Sequence, residues 1–516
     1  MNVRRTQLAI GLITSLALVA AACGGDGETG ADTTSPPTAA VTTAPAPAGD
    51  GEGSAGTAAG TTAIADTDCP FEPSPALADR IRCAELTVPE NRDDPRGRTV
   101  TVPFAQIEPA EPRPDSDTLL FVMGGNGSGL LLLQGIPELG EALARDARVI
   151  FVDHRGSAPW STPYMACDGF AEGLDAAEAD ADPAEVEACR EQLAAKLDLN
   201  LYGPWEAALD YRDLRLALDV ERWDVYSVSY GTTIAQRMIT VDGDAIASMV
   251  FDGTWGATAN GFSPTFLLEP LIGLIDECNA APGCAAAFPD LERQLGEVAA
   301  RLAETPQEID GATVSDIEYL AGIRVAMGDP ERRGSIPLAV ARSADGDFGP
   351  WQEIAALPED GGGADPALTW PSSVCRDEHS RRDDPSHRRD PSRALPDAVV
   401  SGVRMLESES WDWDRFCPAM GFVRSADQTV EVVRSDVPAL MLVGQIDLVT
   451  PKYVSDDFAE DLDNVDTVVF PLTGHFTLLG QFECATGIVL DFVADPTAPI
   501  DRSCVDALPT VTWATA

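Results

Sequence analysis

Six short runs in this chain are apolar almost throughout: Thr118–Val122, Val149–Val152, Trp223–Tyr226, Met249–Phe251, Leu440–Val443 and Thr467–Phe470. A strand wetted on one face alternates apolar with polar residues; a strand covered on both faces does not. The runs are bounded by Gly, Pro and Asp, and helical stretches such as Trp205–Leu218 separate them. This pattern predicts an α/β chain with a mostly parallel sheet covered by helices. The alternation stops between about 258 and 430 and resumes afterwards. The interrupted stretch holds helical segments, the loop Asp360–Gly363 and an Arg/Asp-rich run from Arg376 to Arg393. It reads as an inserted, mainly helical lid (258–430) between a first core part (67–257) and a C-terminal core part (431–516).

Charge narrows the partners. With 35 Lys+Arg against 84 Asp+Glu, the formal charge is −49. Phosphate backbones need clustered cations, so nucleic acid is excluded as the default partner. Anionic headgroups are repelled as well, and no run of about 20 apolar residues exists to span a bilayer. Any membrane attachment must then be covalent.

The N-terminus supplies a candidate for that attachment. Arg4 and Arg5 precede the apolar stretch Leu8–Ala22, and Ala20-Ala21-Ala22 leads into Cys23. Small residues ahead of a cleavage point mark a signal peptide (1–22), and the Cys that follows resembles a lipobox acceptor. An ordinary secretory signal with an incidental Cys is the competing reading. Residues 23–66 are mostly Gly, Ala, Thr, Pro, Ser and Asp, which suits a disordered, lipid-anchored tether. Of the 11 Cys, ten remain once Cys23 is set aside. They fall as near neighbours: Cys69 and Cys83, Cys167 and Cys189, Cys278 and Cys284, Cys375 and Cys417, Cys484 and Cys504. Parity in an exported chain points to five disulfides, although spacing alone leaves the connectivity open. No CxxC pair with His partners is present, so neither a metal nor another cofactor is expected.

The chemistry gathers at the strand ends. Ser227-Val228-Ser229-Tyr230-Gly231 has the small-x-Ser-x-small pattern of a nucleophile on a tight turn between strand and helix. Four His exist: His154, His379, His387 and His475. His379 and His387 fall in the Arg/Asp run and read as solvated loop. His475 follows the last strand run, where a general base would serve Ser229. Its acid would end the preceding strand, which is Asp447; Asp252, after the strand that follows Ser229, competes for that role. Oxyanion donors are expected from the amide of Tyr230 and from Gly124-Gly125-Asn126-Gly127, with Gly125 the favoured second donor. The same loop has no Lys-Ser/Thr after it, so a phosphate cradle is excluded.

Together Gly124–Gly127, Asp153-His154-Arg155-Gly156, Ser229–Thr232, Asp447 with Thr450-Pro451, Gly474-His475 and the Cys278–Asp290 segment resemble a known family. They are similar to the exported tripeptidyl-aminopeptidase-like enzymes related to prolyl iminopeptidase, within the α/β-hydrolase superfamily. The resemblance implies an α/β-hydrolase fold, a helical lid inserted after the nucleophile half, and a C-terminal piece returning Asp and His. It also implies a serine exopeptidase that releases short peptides from free N-termini through an acyl-enzyme. A carboxylesterase or lipase-like hydrolase on the same three residues is the alternative, since one architecture hosts many reactions. A non-catalytic surface protein is disfavoured because all three positions are filled. An aminopeptidase needs carboxylates for the substrate ammonium; Asp377 and Glu378 are candidates, with solvated charge beside Arg376 as the competing reading. The expected partner is a peptide or a small ester, and the expected location is exported, as a membrane lipoprotein or secreted.

Overall fold

The computed structural model describes residues 62–515 except 112–117, 126, 171–175, 179–180, 257–262, 357–366, 380–389, 411 and 427–430. The signal peptide, Cys23 and all but the end of the tether lie outside the described residues. So do His387 and Asn126.

Among the described residues nine strands form one sheet in the order β1-β2-β3-β5-β4-β6-β7-β10-β11. These are β1 Ala63–Asp66, β2 Ile81–Pro89, β3 Thr99–Ile107, β4 Thr118–Val122, β5 Arg148–Val152, β6 Trp223–Val228, β7 Ile246–Asp252, β10 Ala439–Gly444 and β11 Val465–Phe470. The pair β8 Gln307–Ile309 and β9 Ala312–Val314 makes a separate hairpin in the insert. From β5 to β11 every pairing is parallel. All six apolar runs are strands of this part. Their two parities serve two cores. Leu120, Val122, Ile150, Val225, Met249 and Met441 face one helical layer, and Leu119, Phe121, Phe151, Tyr226, Val250 and Leu440 face the other. Phe121 stacks on Phe151 and on Tyr226 at 4.8 Å each across the second face.

Strands β1 to β3 and the β3–β5 pairing are antiparallel, an addition to the apolar runs that mark the parallel part. One part of the tether is corrected here. Ala63–Asp66 is not disordered chain but the edge strand, paired with Ala84–Thr87 of β2. Its side chains bury little; the backbone ladder and a hydrogen bond from Arg82 to Asp66 at 2.7 Å hold it.

After β7 the chain leaves the sheet for a helical insert, and it returns as β10, which pairs directly with β7. Helices Thr265–Ala280, Leu291–Glu304, Asp316–Gly328, Ile336–Ala344 and Asp397–Ser410 pack around a core of their own. Ser315 starts one of them with a reciprocal cap: its hydroxyl accepts from Ile317 N, and Glu318 accepts from Ser315 N at 2.8 Å. All five disulfides join the near-neighbour cysteines, with Cα–Cα separations of 5.1 to 5.6 Å. No helix among the described residues is long and apolar enough to cross a membrane.

Candidate active site

Register brings the carboxyl ends of four strands together. Val122 pairs with Ser227, Val228 with Asp252, and Leu442 with Asp252 from the other side. Ser229 comes one residue beyond the end of β6, at φ 56°, before the helix Tyr230–Asp242. A non-glycine residue in the left-handed region is uncommon and is held there by its surroundings. Its amide donates to the Asp252 carbonyl at 2.9 Å, and its hydroxyl makes no capping bond to the helix. Ser229 therefore does not act as a side-chain cap of that helix.

The small residues of the motif have a packing reason. A Cβ on Gly231 would come within 2.5 Å of the Val122 carbonyl oxygen and 2.6 Å of that of Met123. One on Gly124 would lie 2.5 Å from Ser229 Cβ. The glycine-rich loop thus rests directly on the serine. Gly125 follows at φ 56° in a turn closed by a bond from Gly127 N to Gly124 O at 3.0 Å. Gly124, directly before Gly125, and the start of the Tyr230 helix accordingly flank Ser229 from two elements.

Two buried residues that sequence reasoning left without a role hold that loop. Asp153 accepts from Ser128 Oγ at 3.0 Å, from Leu130 N at 3.1 Å and from Trp160 Nε1 at 2.7 Å. Burial pushes its carboxyl up to about 7 against those donors. His154 donates its amide to Gly127 O at 2.9 Å. Burial also lowers its imidazole to about 3, so the ring is neutral. Their place directly after a strand, in Asp-His-Arg-Gly, was the available signal. Arg155 points the other way, forming a buried bidentate pair with Asp210 at 2.6 and 2.7 Å.

His475 and Asp447 meet. Nδ1 lies 2.8 Å from Asp447 Oδ2, and both residues are buried. The other ring nitrogen, Nε2, is buried without a hydrogen-bond partner among the described residues. Burial alone would lower the imidazole pKa, but the Asp447 carboxylate outweighs it and the net shift is upward. Asp252 does not bond the ring. Its carboxylate accepts from Tyr226 Oη at 2.6 Å, Thr477 N at 2.9 Å and Leu478 N at 2.8 Å. Burial raises its pKa against those three donors. Leu472 and Phe476, on either side of His475, also have positive φ, so with Ser229 they make three of the five such non-glycine residues among the described ones.

Asp377 and Glu378 end a π-helical turn, Val374–Glu378, rather than a loop. Ser373, just before it, donates to Asp377 Oδ2 at 3.2 Å and hydrogen-bonds the Tyr230 side chain next to the serine. Cys375 ties the turn to Cys417. The Glu378 carboxyl is half-buried, and burial, reinforced by Asp377, pushes it up to about 8. His379 follows the turn with Nε2 3.4 Å from Asp414 Oδ1, so it is not the solvated loop residue the sequence suggested. Among the described residues no group of three or more His, Cys, Asp or Glu could hold a metal ion.

A parallel sheet with antiparallel strands at one edge, a serine on a strained strand-to-helix turn, and an Asp–His pair from the last two strands define a hydrolytic enzyme of the α/β-hydrolase fold. Family comparisons agree. The family described as "alpha/beta hydrolase fold" matches residues 117–272, and the one described as "TAP-like protein" matches residues 406–504, which contain Asp447 and His475. No curated protein matches the chain. Solved structures similar to it include a thermophilic esterase from Thermogutta terrifontis, at 13% identity and TM-score 0.33, covering 78% of this chain and 95% of that one. A meta-cleavage product hydrolase from Pseudomonas fluorescens has 13% identity and TM-score 0.33, covering 77% and 95%. An N-acyl homoserine lactone degrading enzyme has 14% identity and TM-score 0.32, covering 76% and 97%.

Proposed function

We propose that the chain is a serine hydrolase in which Ser229 attacks an acyl carbon, His475 accepts its proton and Asp447 holds the imidazole. The observation that carries this reading is the buried Asp447–His475 contact of 2.8 Å, with Nε2 left unpartnered in the strand-end cluster that holds Ser229. With Nδ1–H committed to Asp447, Nε2 presents a lone pair and can take the serine proton. Negative charge developing on the acyl oxygen would be met by the amides of Tyr230 and Gly125. Nε2–H would give the serine proton to the departing alcohol or amine, and the acyl-enzyme would then be hydrolysed by water activated at the same, again neutral, Nε2.

Ester hydrolysis is the activity these elements support by themselves, because an alcohol leaves with the proton held on His475 and needs no further binding group. Peptide release from a free N-terminus is a second reading, favoured by one observation. Glu378 is a half-buried carboxylate that shows no cation partner among the described residues, and its pKa is raised to about 8. A bound ammonium would restore its charge. A panel of short-acyl ester, aminoacyl and tripeptidyl chromogens, run on the purified enzyme and on Ser229→Ala, tests both. Ester turnover that vanishes in the variant supports the first reading. Faster turnover of free peptides than of their acetylated forms supports the second. Full activity in Ser229→Ala overturns the serine mechanism.

Export as a lipoprotein is also proposed, supported by Ala20–Cys23 and by five disulfides that suit an oxidising compartment. Cys23→Ser should release the protein from the membrane fraction or leave its precursor uncleaved. Unchanged fractionation would refute the anchor.

A further inference from the structure

We infer that Thr450 is a positioning residue of this site, holding Asp447 and His475 in one protonation pattern through its buried hydroxyl. The inference rests on the serine-hydrolase reading above and adds a residue to it. Thr450 is fully buried at the turn after β10. Its Oγ1 donates to Asp447 Oδ2 at 2.6 Å, the same oxygen that faces His475 Nδ1 at 2.8 Å. Oγ1 also lies 3.2 Å from Nδ1 itself. The other carboxylate oxygen, Oδ1, accepts from Val449 N at 2.7 Å and Thr450 N at 2.8 Å. The carboxylate is therefore held on both oxygens.

A hydroxyl has one proton to give. Given to Oδ2, it leaves only oxygen lone pairs toward Nδ1, from Thr450 and from Asp447 alike. An unprotonated Nδ1 would face both without a proton between them. The arrangement thus selects the Nδ1–H tautomer and keeps the Nε2 lone pair free for the Ser229 proton. Space is reserved for this. A Cβ on Gly253 would fall 2.8 Å from Thr450 Oγ1 and 3.0 Å from the His475 ring. The charged groups facing the ring are Asp447 at the end of β10 and Asp252 at the end of β7.

Two opposing effects follow from removing the hydroxyl. Asp447 loses a short donor, so its charge acts more fully on the imidazole; Nδ1–H loses a long, weak acceptor. The 2.6 Å bond outweighs the 3.2 Å contact. Thr450→Val should therefore raise the His475 pKa, while looser placement of the ring lowers kcat on the order of 10-fold with KM little changed. Thr450→Ser, which keeps the hydroxyl, should recover most of that loss.

The experiment follows the His475 titration by NMR in wild type, Thr450→Val and Thr450→Ser, with kcat and KM on a short-acyl ester and thermal melting alongside. An upward shift in Thr450→Val, reversed in Thr450→Ser, supports the inference. An unchanged His475 titration in Thr450→Val, or equal losses in the two variants, overturns it, as does a lowered Tm with unaltered kcat and titration. If Thr450→Val does not fold, Thr450→Ser and Thr450→Ala are compared by the same criteria. The NMR readout does not depend on turnover. Failure of the underlying reading would show separately, as full activity in Ser229→Ala.

Discussion

Two neighbouring strands end in an aspartate, or a turn with one, and the two carboxylates do different work. At the end of β7, Asp252 is saturated by Tyr226 and by the amides of Thr477 and Leu478, so it pins the chain beyond His475 to the sheet. At the end of β10, Asp447 keeps one oxygen for His475 and Thr450. Both are buried and both lie near the same imidazole. Which one can orient the base is decided by the donors each already satisfies, not by distance along the sheet or by charge.

The largest test of this contrast lies upstream of both. Ser229→Ala should remove turnover on the order of 10⁵–10⁶-fold and leave thermal melting unchanged. Next comes Asp447→Asn, expected to lower kcat about 10⁴-fold by analogy with serine proteases, because the amide favours the wrong tautomer. Its acid limb, where detectable, should move to lower pH. Burial lowers the His475 pKa and Asp447 is the main group that lifts it; once Asp447 is neutral, only the more weakly acting Asp252 charge opposes burial. In the wild type the rate rises with pH as His475 loses its proton, so the acid limb of kcat/KM should sit above the ordinary histidine value.

Asp252→Asn should reverse the pattern. Its amide group opposes donors from Thr477 and Leu478, so stability should fall by about 1–3 kcal/mol while kcat falls less than in Asp447→Asn. Melting curves and steady-state kinetics on the two variants decide it; a greater kinetic loss in Asp252→Asn would exchange the two roles. The smallest effect concerns Glu378→Gln. It should lower kcat/KM about 30-fold on free peptides if the carboxylate binds an ammonium, and leave neutral esters unaffected. Its stability should respond to pH in a defined direction. The folded carboxyl titrates near 8, far above an unfolded Glu at about 4.3. Between those values the unfolded state ionises first, and the wild type loses stability as pH rises. Glu378→Gln should gain relative to it across that window, as melting at pH 5 and pH 8 would show.

Much of this was legible because burial on both faces of a parallel strand leaves unmistakable apolar runs. Ser229 was legible because its tight turn demands small neighbours, which Gly231 against the Val122 and Met123 carbonyls illustrates. His475 stood out through the scarcity of histidine. Strands β1 to β3 were hidden since antiparallel edge strands carry polar residues such as Arg82, Glu85 and Thr87 among the apolar ones. The support of the glycine loop by Asp153 and His154, and the place of Thr450 against Asp447, rest on contacts between distant segments and on atoms within one turn. No periodicity reports either.

The adjacency of β7 and β10 has a consequence for what the enzyme can tolerate. Roughly 190 residues separate two strands that touch, yet closing a longer loop adds only about 0.6 kcal/mol per doubling of its length. A parallel pair needs a crossover of only about a dozen residues. The insert is therefore nearly free, in entropy, to grow, shrink or be exchanged, while the strand ends that hold Ser229, Asp447 and His475 stay in register. On the serine-hydrolase reading, an insert that shapes substrate choice could drift on one side of that junction while the proposed chemistry on the other side stays where the sheet put it.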